Sequence, residues 1–182
     1  KDVEDTNTTI TNRDKDTPSS NTVTIEAENE NDKVEVKLED VNIDASSRVN
    51  PGATTANDAH YAAVNVTGKG DTTIELDGDN ELKSGGYNAG LEKNGHESEG
   101  TLTIKDDKGK DGSLTAEGGF GGAGIGGGIE SAGSSITIRG GTVEAVGGAG
   151  AAGIGDGAGR ASDDTEDPNP GNLYICGDAE VT

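Results

Sequence analysis

Ser135-Ile136-Thr137-Ile138-Arg139-Gly140-Gly141-Thr142-Val143-Glu144-Ala145, followed by Ala152-Gly153-Ile154-Gly155, repeats an earlier stretch with small changes. That stretch is Thr101-Leu102-Thr103-Ile104, then Ser113-Leu114-Thr115-Ala116, then Ala123-Gly124-Ile125-Gly126. In the first two units of each copy, apolar and polar residues alternate, the period-two signature of a half-buried strand. Further copies of the first unit read Val34-Glu35-Val36-Lys37-Leu38, Thr72-Thr73-Ile74-Glu75-Leu76 and Asn172-Leu173-Tyr174-Ile175. A second strand follows each, as in Val41-Asn42-Ile43-Asp44-Ala45, Glu81-Leu82-Lys83 and Ala179-Glu180-Val181. The small-residue third unit recurs at Ala62-Ala63-Val64-Asn65-Val66 and Ala89-Gly90-Leu91. Asp, Asn and Gly, the turn formers, separate the units.

Three short strands per repeat of about 27 to 38 residues, joined by turns too short for helices, predict an all-β parallel β-helix. About five to six coils at about 4.8 Å each give a rod of roughly 25 to 30 Å. The fold answers a compositional problem. Leu, Ile, Val and Phe supply only 30 of 182 residues, and the net charge is −21, a balance that points to disorder unless patterning overturns it. In a solenoid every second side chain points into a narrow interior, so few and small apolar residues suffice. The expected inward set is Val36, Leu38, Val41, Ile43, Ile74, Leu76, Leu82, Leu91, Leu102, Ile104, Leu114, Ile125, Ile136, Ile138, Val143, Ile154, Leu173, Ile175 and Val181. The expected outward ladder runs Glu35, Glu75, Thr103, Thr137, Tyr174, with too broken a threonine row for an ice-binding array. A flattened β-sandwich built from the same strands is the competing architecture, although Ala-Gly-Ile-Gly segments pack poorly between broad sheets.

The 182 residues read as a single β-helix domain, with Gly-poor coils over 1–60, beginning at Thr9-Ile10-Thr11 and Val23-Thr24-Ile25, and Gly-rich regular coils over 61–182. Because the chain stops at Val181-Thr182 inside a strand unit, a fragment of a larger surface or secreted protein is expected. Only Cys176 carries a thiol, which excludes an intramolecular disulfide framework and a Cys-based zinc site. Its simplest role is that of a small buried residue. The charge argues against nucleic-acid binding, and no apolar run approaches a membrane span.

The units Gly100-Thr101-Leu102-Thr103-Ile104, Gly112 to Gly119, Ala123 to Gly128 and Ser135 to Ala145 resemble the β-helical repeats of secreted or wall-attached proteins of Gram-positive bacteria. These include the family usually labelled carbohydrate-binding domain-containing protein. The resemblance covers about residues 60–182. It implies a right-handed single-stranded parallel β-helix outside the cell that binds glycan, sometimes an acidic polysaccharide with calcium. No ligand-binding motif of that family is matched residue by residue.

Candidate ligand-binding residues follow from the scarcity of aromatics. Tyr87 and Phe120 each precede a third unit and are expected to share one face as a stacking patch near His96. Candidate calcium ligands lie in acidic turns, since calcium takes six to eight oxygens: Asp77 and Asp79, Asp107 and Asp111, and Asp156 with the acidic run 163–167. The turn at 107–112 supplies only part of an EF-hand pattern, and these turns also read as plain solvated ones. The Gly118–Gly128 run lacks the Gly-Lys-Ser/Thr ending of a phosphate loop and reads as tight coil packing. His60 and His96 are the only histidines, and no nucleophile-and-base set emerges. The expectation is therefore a non-catalytic extracellular module for a polysaccharide or host glycan, possible calcium assistance included. The alternative is a structural or adhesive segment that displays loops to a host surface protein, and a β-helical enzyme is a distant third.

Overall fold

The computed structural model describes residues 8–55, 59–95, 99–107, 111–159 and 172–182. It is a parallel β-helix of six coils, the middle four with three strands each and the first and last with two each among the described residues. Coil one holds β1 (Thr8–Thr11) and β2 (Val23–Ala27). Coil two holds β3 (Lys33–Glu39), β4 (Asn42–Asp44) and β5 (Val64–Gly68). Coil three holds β6 (Asp71–Asp77), β7 (Asp79–Lys83) and β8 (Leu91–Glu92). Coil four holds β9 (Leu102–Lys105), β10 (Ser113–Glu117) and β11 (Ile125–Gly126). Coil five holds β12 (Ile136–Ile138), β13 (Thr142–Val146) and β14 (Ile154–Gly155), and the sixth holds β15 (Leu173–Ile175) and β16 (Glu180–Val181).

Stacking these coils makes three sheets: β1-β3-β6-β9-β12-β15, then β4-β7-β10-β13-β16, then β2-β5-β8-β11-β14. Every pairing between these strands is parallel and in register, which places like on like. Val36, Ile74, Ile104, Ile138 and Ile175 form one interior column, and Leu102, Ile136 and Leu173 another. From Ile25 to Val143 this interior is closed to solvent, each fully buried Val, Leu or Ile contributing about 1.5–3 kcal/mol. The expected inward residues are buried as far as Val143, whereas Ile154 and Val181 are half-buried and Leu173 and Ile175 are 44% and 51% exposed. They belong to the last rungs, which among the described residues are covered by a strand on one side only. Cys176 follows β15 in that same coil and is exposed, a correction to the buried role expected of it.

Register also corrects the outward ladder of the first sheet. Glu35 lies beside Thr73, and the column continues through Thr103 and Thr137 to Tyr174. Glu75 belongs to the next column, between Lys37 and Lys105. Three threonines therefore do stack, but the column next to them is charged, and a flat uncharged lattice is not formed.

Corners are where the backbone is most constrained. Between the first and second sheets the chain passes through a left-handed residue, Asp40 at φ 49°, Gly78 at 62°, Gly141 at 82° and Gly177 at 69°. The third sheet needs glycine for a different reason. Gly126 sits at φ 131°, and a Cβ there would lie 2.1 Å from the Gly155 carbonyl oxygen of the next coil. The Ala-Gly-Ile-Gly unit of coil four thus ends where no side chain fits, and that of coil five shares only its positive φ, 132° at Gly155.

Candidate functional site

The outer face of the third sheet carries one column of partners: Thr24, Asn65, Glu92, Gly126 and Gly155. Three polar side chains give way to two glycines, which leaves a stepped floor. Glu92, 6% exposed, is the charged group of that floor. Its Oε2 accepts the Ala89 amide at 2.9 Å and its Oε1 accepts Asn94 Nδ2 at 3.2 Å. Asn94 Oδ1 in turn accepts the Gly128 amide at 2.8 Å, so a chain of side-chain bonds ties coil three to the turn above coil four.

Tyr87 is fixed by its own backbone. It adopts φ 70°, donates its amide to the Phe120 carbonyl at 2.8 Å and accepts from the Ile129 amide at 2.7 Å. Its ring meets Phe120 edge to face with centroids 6.0 Å apart, and lies 6.3 Å from the His60 imidazole at 53°. Edge-to-face packing of this kind contributes about 0.5–1.5 kcal/mol beyond area burial. The expected pairing of Tyr87 with Phe120 is therefore present in space, and Phe120 is 64% exposed. His96 lies outside the described residues. The histidine that joins the pair is His60, which sequence spacing could not nominate because it arrives from the long loop before β5.

Together these groups frame a cleft of about 500 Å³, lined by Asn50, His60, Tyr87, Glu92, Asn94 and Glu130 among others, within the size range usual for small-ligand sites. A smaller pocket of about 170 Å³ adjoins it, sharing His60, Asn88 and Glu92 and adding Thr24, Tyr61 and Asn65. His60 Nδ1 and Asn65 Oδ1, on two of these lining residues, are buried and meet no hydrogen-bond partner among the described residues.

The expected calcium ligands are dispersed. Asp77 pairs with Lys37 at 3.0 Å, Asp107 with Lys105 at 3.1 Å, and Asp79 accepts the Ser113 hydroxyl at 3.0 Å. Asp156 caps the Gly133 amide at 2.9 Å. Asp111 borders a depression of about 180 Å³ together with Asp106, Asp178 and Glu180. Among the described residues no group of three or more His, Cys, Asp or Glu side chains is arranged to hold a metal ion. The acidic run 163–167 lies outside the described residues.

The ion pairs centre instead on the charged column of the first sheet. Lys105 reaches Glu35 at 3.4 Å, Glu75 at 3.3 Å and Asp107 at 3.1 Å. Burial pulls its ammonium down, but the bonds to Asp107 and Glu75 and the charge of Glu35 outweigh it and hold the pKa above the ordinary lysine value.

Comparison with known proteins agrees with the architecture. A family model described as Beta helix repeat matches residues 110–129 and 136–158, which cover β10 and β11 and then β12 to β14. No curated protein and no solved structure matches the chain. The chain folds as a parallel β-helix, part of which is similar to that repeat family, and among its described residues no helix is long and apolar enough to cross a membrane.

Proposed function

We propose that this chain is a non-catalytic extracellular module, secreted or attached to a cell wall, that binds glycan in the cleft of the third sheet. The observation that carries the proposal is the meeting of His60 from coil two with Tyr87, Glu92 and Asn94 from coil three at one cleft. A pyranose needs an apolar ring face and several polar groups at fixed positions, and a rigid scaffold that presents loops supplies both. The resemblance to β-helical surface repeats of Gram-positive bacteria supports the same direction. The test is a glycan array probed with the wild type and with Tyr87→Ala and Glu92→Gln. Binding that both substitutions reduce by about tenfold or more, roughly 1.4 kcal/mol, supports the proposal. An array without signal opposes it.

A second proposal is a structural or adhesive segment that binds a host surface protein. It is favoured by the exposed aromatic ring of Phe120 and by the shortage of other aromatics, Tyr61 being engaged under Arg48 at 4.5 Å. Protein ligands without glycan binding would select it. Calcium assistance is an auxiliary proposal, confined to the depression at Asp111. Its check is the thermal midpoint with millimolar calcium and after chelation, a rise with calcium supporting it by linkage.

A further inference from the structure

We infer that Glu130 is a ligand-contacting residue of the third-sheet cleft, its carboxylate accepting the hydroxyls of a sugar packed on Tyr87, an assignment that rests on the glycan proposal above. Both side chains stand at backbone positions that the repeat otherwise gives to glycine. Among the described residues, three that are not glycine have positive φ: Asp40 at 49°, Tyr87 at 70° and Glu130 at 59°. Asp40 has a local reason. Aspartate tolerates this conformation better than most residues, and its Oδ1 accepts the Asp79 amide at 3.2 Å. Tyrosine and glutamate have no such tolerance, and Tyr87 and Glu130 both line the cleft. Strain of this kind persists only where the surrounding structure outweighs it, and it gathers at functional sites.

Neighbouring coils build the same turns without either side chain. Tyr87 is third in the turn 85–88, closed by the Asn88 amide on the Gly85 carbonyl at 3.3 Å. The corresponding turns 119–122 and 148–151 are each closed by the same bond at 3.0 Å, with Gly121 at φ 80° and Gly150 at 81° in that place. Glu130 is third in the turn 128–131, closed at 3.0 Å, and the next coil has Gly159 there at 82°. A Cβ on Gly159 would lie 3.5 Å from Glu130 Cγ, which confirms the stacking. Glycine adopts such a φ freely, so neither side chain is needed to make the turn. Tyr87 recovers part of its strain by packing on Phe120 and His60. Glu130 does not: it is exposed, and among the described residues its carboxylate makes no hydrogen bond or ion pair.

The two residues are also coupled across the coil step. The Ile129 amide donates to the Tyr87 carbonyl at 2.7 Å, which fixes the turn that carries Glu130 beside Tyr87. Every amide of that turn is engaged: that of Gly128 by Asn94 Oδ1, of Ile129 by Tyr87, of Glu130 by Ala158 and of Ser131 by Gly128. The turn therefore offers the cleft a carboxylate acceptor and no backbone donor for an anionic group. Adjacent hydroxyls of a neutral pyranose are donors that match two carboxylate oxygens beside an aromatic ring. Glu92 has a different part, since it is 6% exposed and its oxygens accept the Ala89 amide and Asn94, which shapes the floor.

The test pairs glycine with alanine at each position, because alanine removes the side chain without releasing the backbone. Urea midpoints read without ligand are expected to be about 0.3 M or more higher for Glu130→Gly than for Glu130→Ala, and likewise for Tyr87→Gly over Tyr87→Ala. At Thr115, an exposed strand position, alanine should instead be the more stable of the two. On a printed array of neutral and uronic oligosaccharides, the wild type should bind neutral ones, and all four cleft variants should lose about tenfold or more of that affinity. Asp40→Gly should keep it. Alanine more stable than glycine at position 130 would show an unstrained backbone and overturn the inference. Glu130→Ala with wild-type affinity would overturn it while leaving glycan binding at Tyr87 intact, and equal loss from Asp40→Gly would overturn it as a general loosening of the coils. Binding confined to uronic oligosaccharides would contradict the hydroxyl-accepting role. A wild type silent across the whole array overturns the glycan proposal and this assignment with it.

Discussion

Asn80 points into the solenoid in a column that continues through Leu114 and Val143. It is 1% exposed, yet its amide is satisfied. Oδ1 accepts the Val41 amide at 3.0 Å, and Nδ2 donates to the Ser113 carbonyl at 3.0 Å and to the Asp77 carbonyl at 3.2 Å. One side chain thus ties three coils together at a corner. Asn80→Ala orphans groups on both neighbouring coils and is expected to lower stability by about 1–3 kcal/mol, read from urea midpoints. Alternation marks position 80 as inward, but the sequence reading passes it over because Asp77-Gly78-Asp79-Asn80 looks like a solvated acidic turn. Thr72 and Lys93 were illegible for the same reason: each is a polar residue at an interior position, and its burial depends on neighbouring coils.

At the scale of elements, the first sheet is held by a charge column that only register reveals. The Glu75 side chain is 1% exposed and that of Lys105 16%, at 3.3 Å. Lys105→Met leaves Glu75 buried beside a lost partner and is expected to cost about 3–5 kcal/mol. The double substitution with Glu75→Gln should recover most of that loss, a coupling that a double-mutant cycle in urea measures directly. On the third sheet, Gly126→Ala forces a Cβ into a carbonyl at a left-handed backbone and should cost about 1–3 kcal/mol or more. The strands and most of their inward faces were legible because period-two alternation is local. The outward ladder was not, because Glu75 and Thr73 both face out and only the register decides which lies beside Glu35.

Across the whole molecule the site is a property of assembly. Tyr87 and Phe120 were legible as a pair from their common place before the third unit. His60, Asn65 and Glu92 were not, since only the stacking register of coil two on coil three brings them together. The interior also imposes a pH response. Burial pushes the Lys93 ammonium down to about 8, against the pull of Asp71. Above about 10.5 both folded and unfolded chains carry the neutral amine. Below about 8 both carry the charge, and the folded state bears the full cost of burying it. Stability should therefore rise between pH 8 and 10.5, by roughly 3 kcal/mol for this group alone. Lys37, Lys83 and Lys105 have raised values, so their stabilising pairs are lost only above that window. Urea midpoints across pH 7.5 to 10 should show the rise, and Lys93→Met should flatten it.

The most direct test of a third-sheet glycan site is backbone amide NMR of the labelled protein during titration with whichever oligosaccharide scores highest on the array. Shifts confined to residues around His60, Asn65, Tyr87 to Asn94 and Phe120 to Ser131 are predicted, with the outer faces of the first and second sheets unchanged. Saturable shifts centred on Thr103 and Thr137, or on Thr115 and Glu144, would place the ligand on another face and contradict the account.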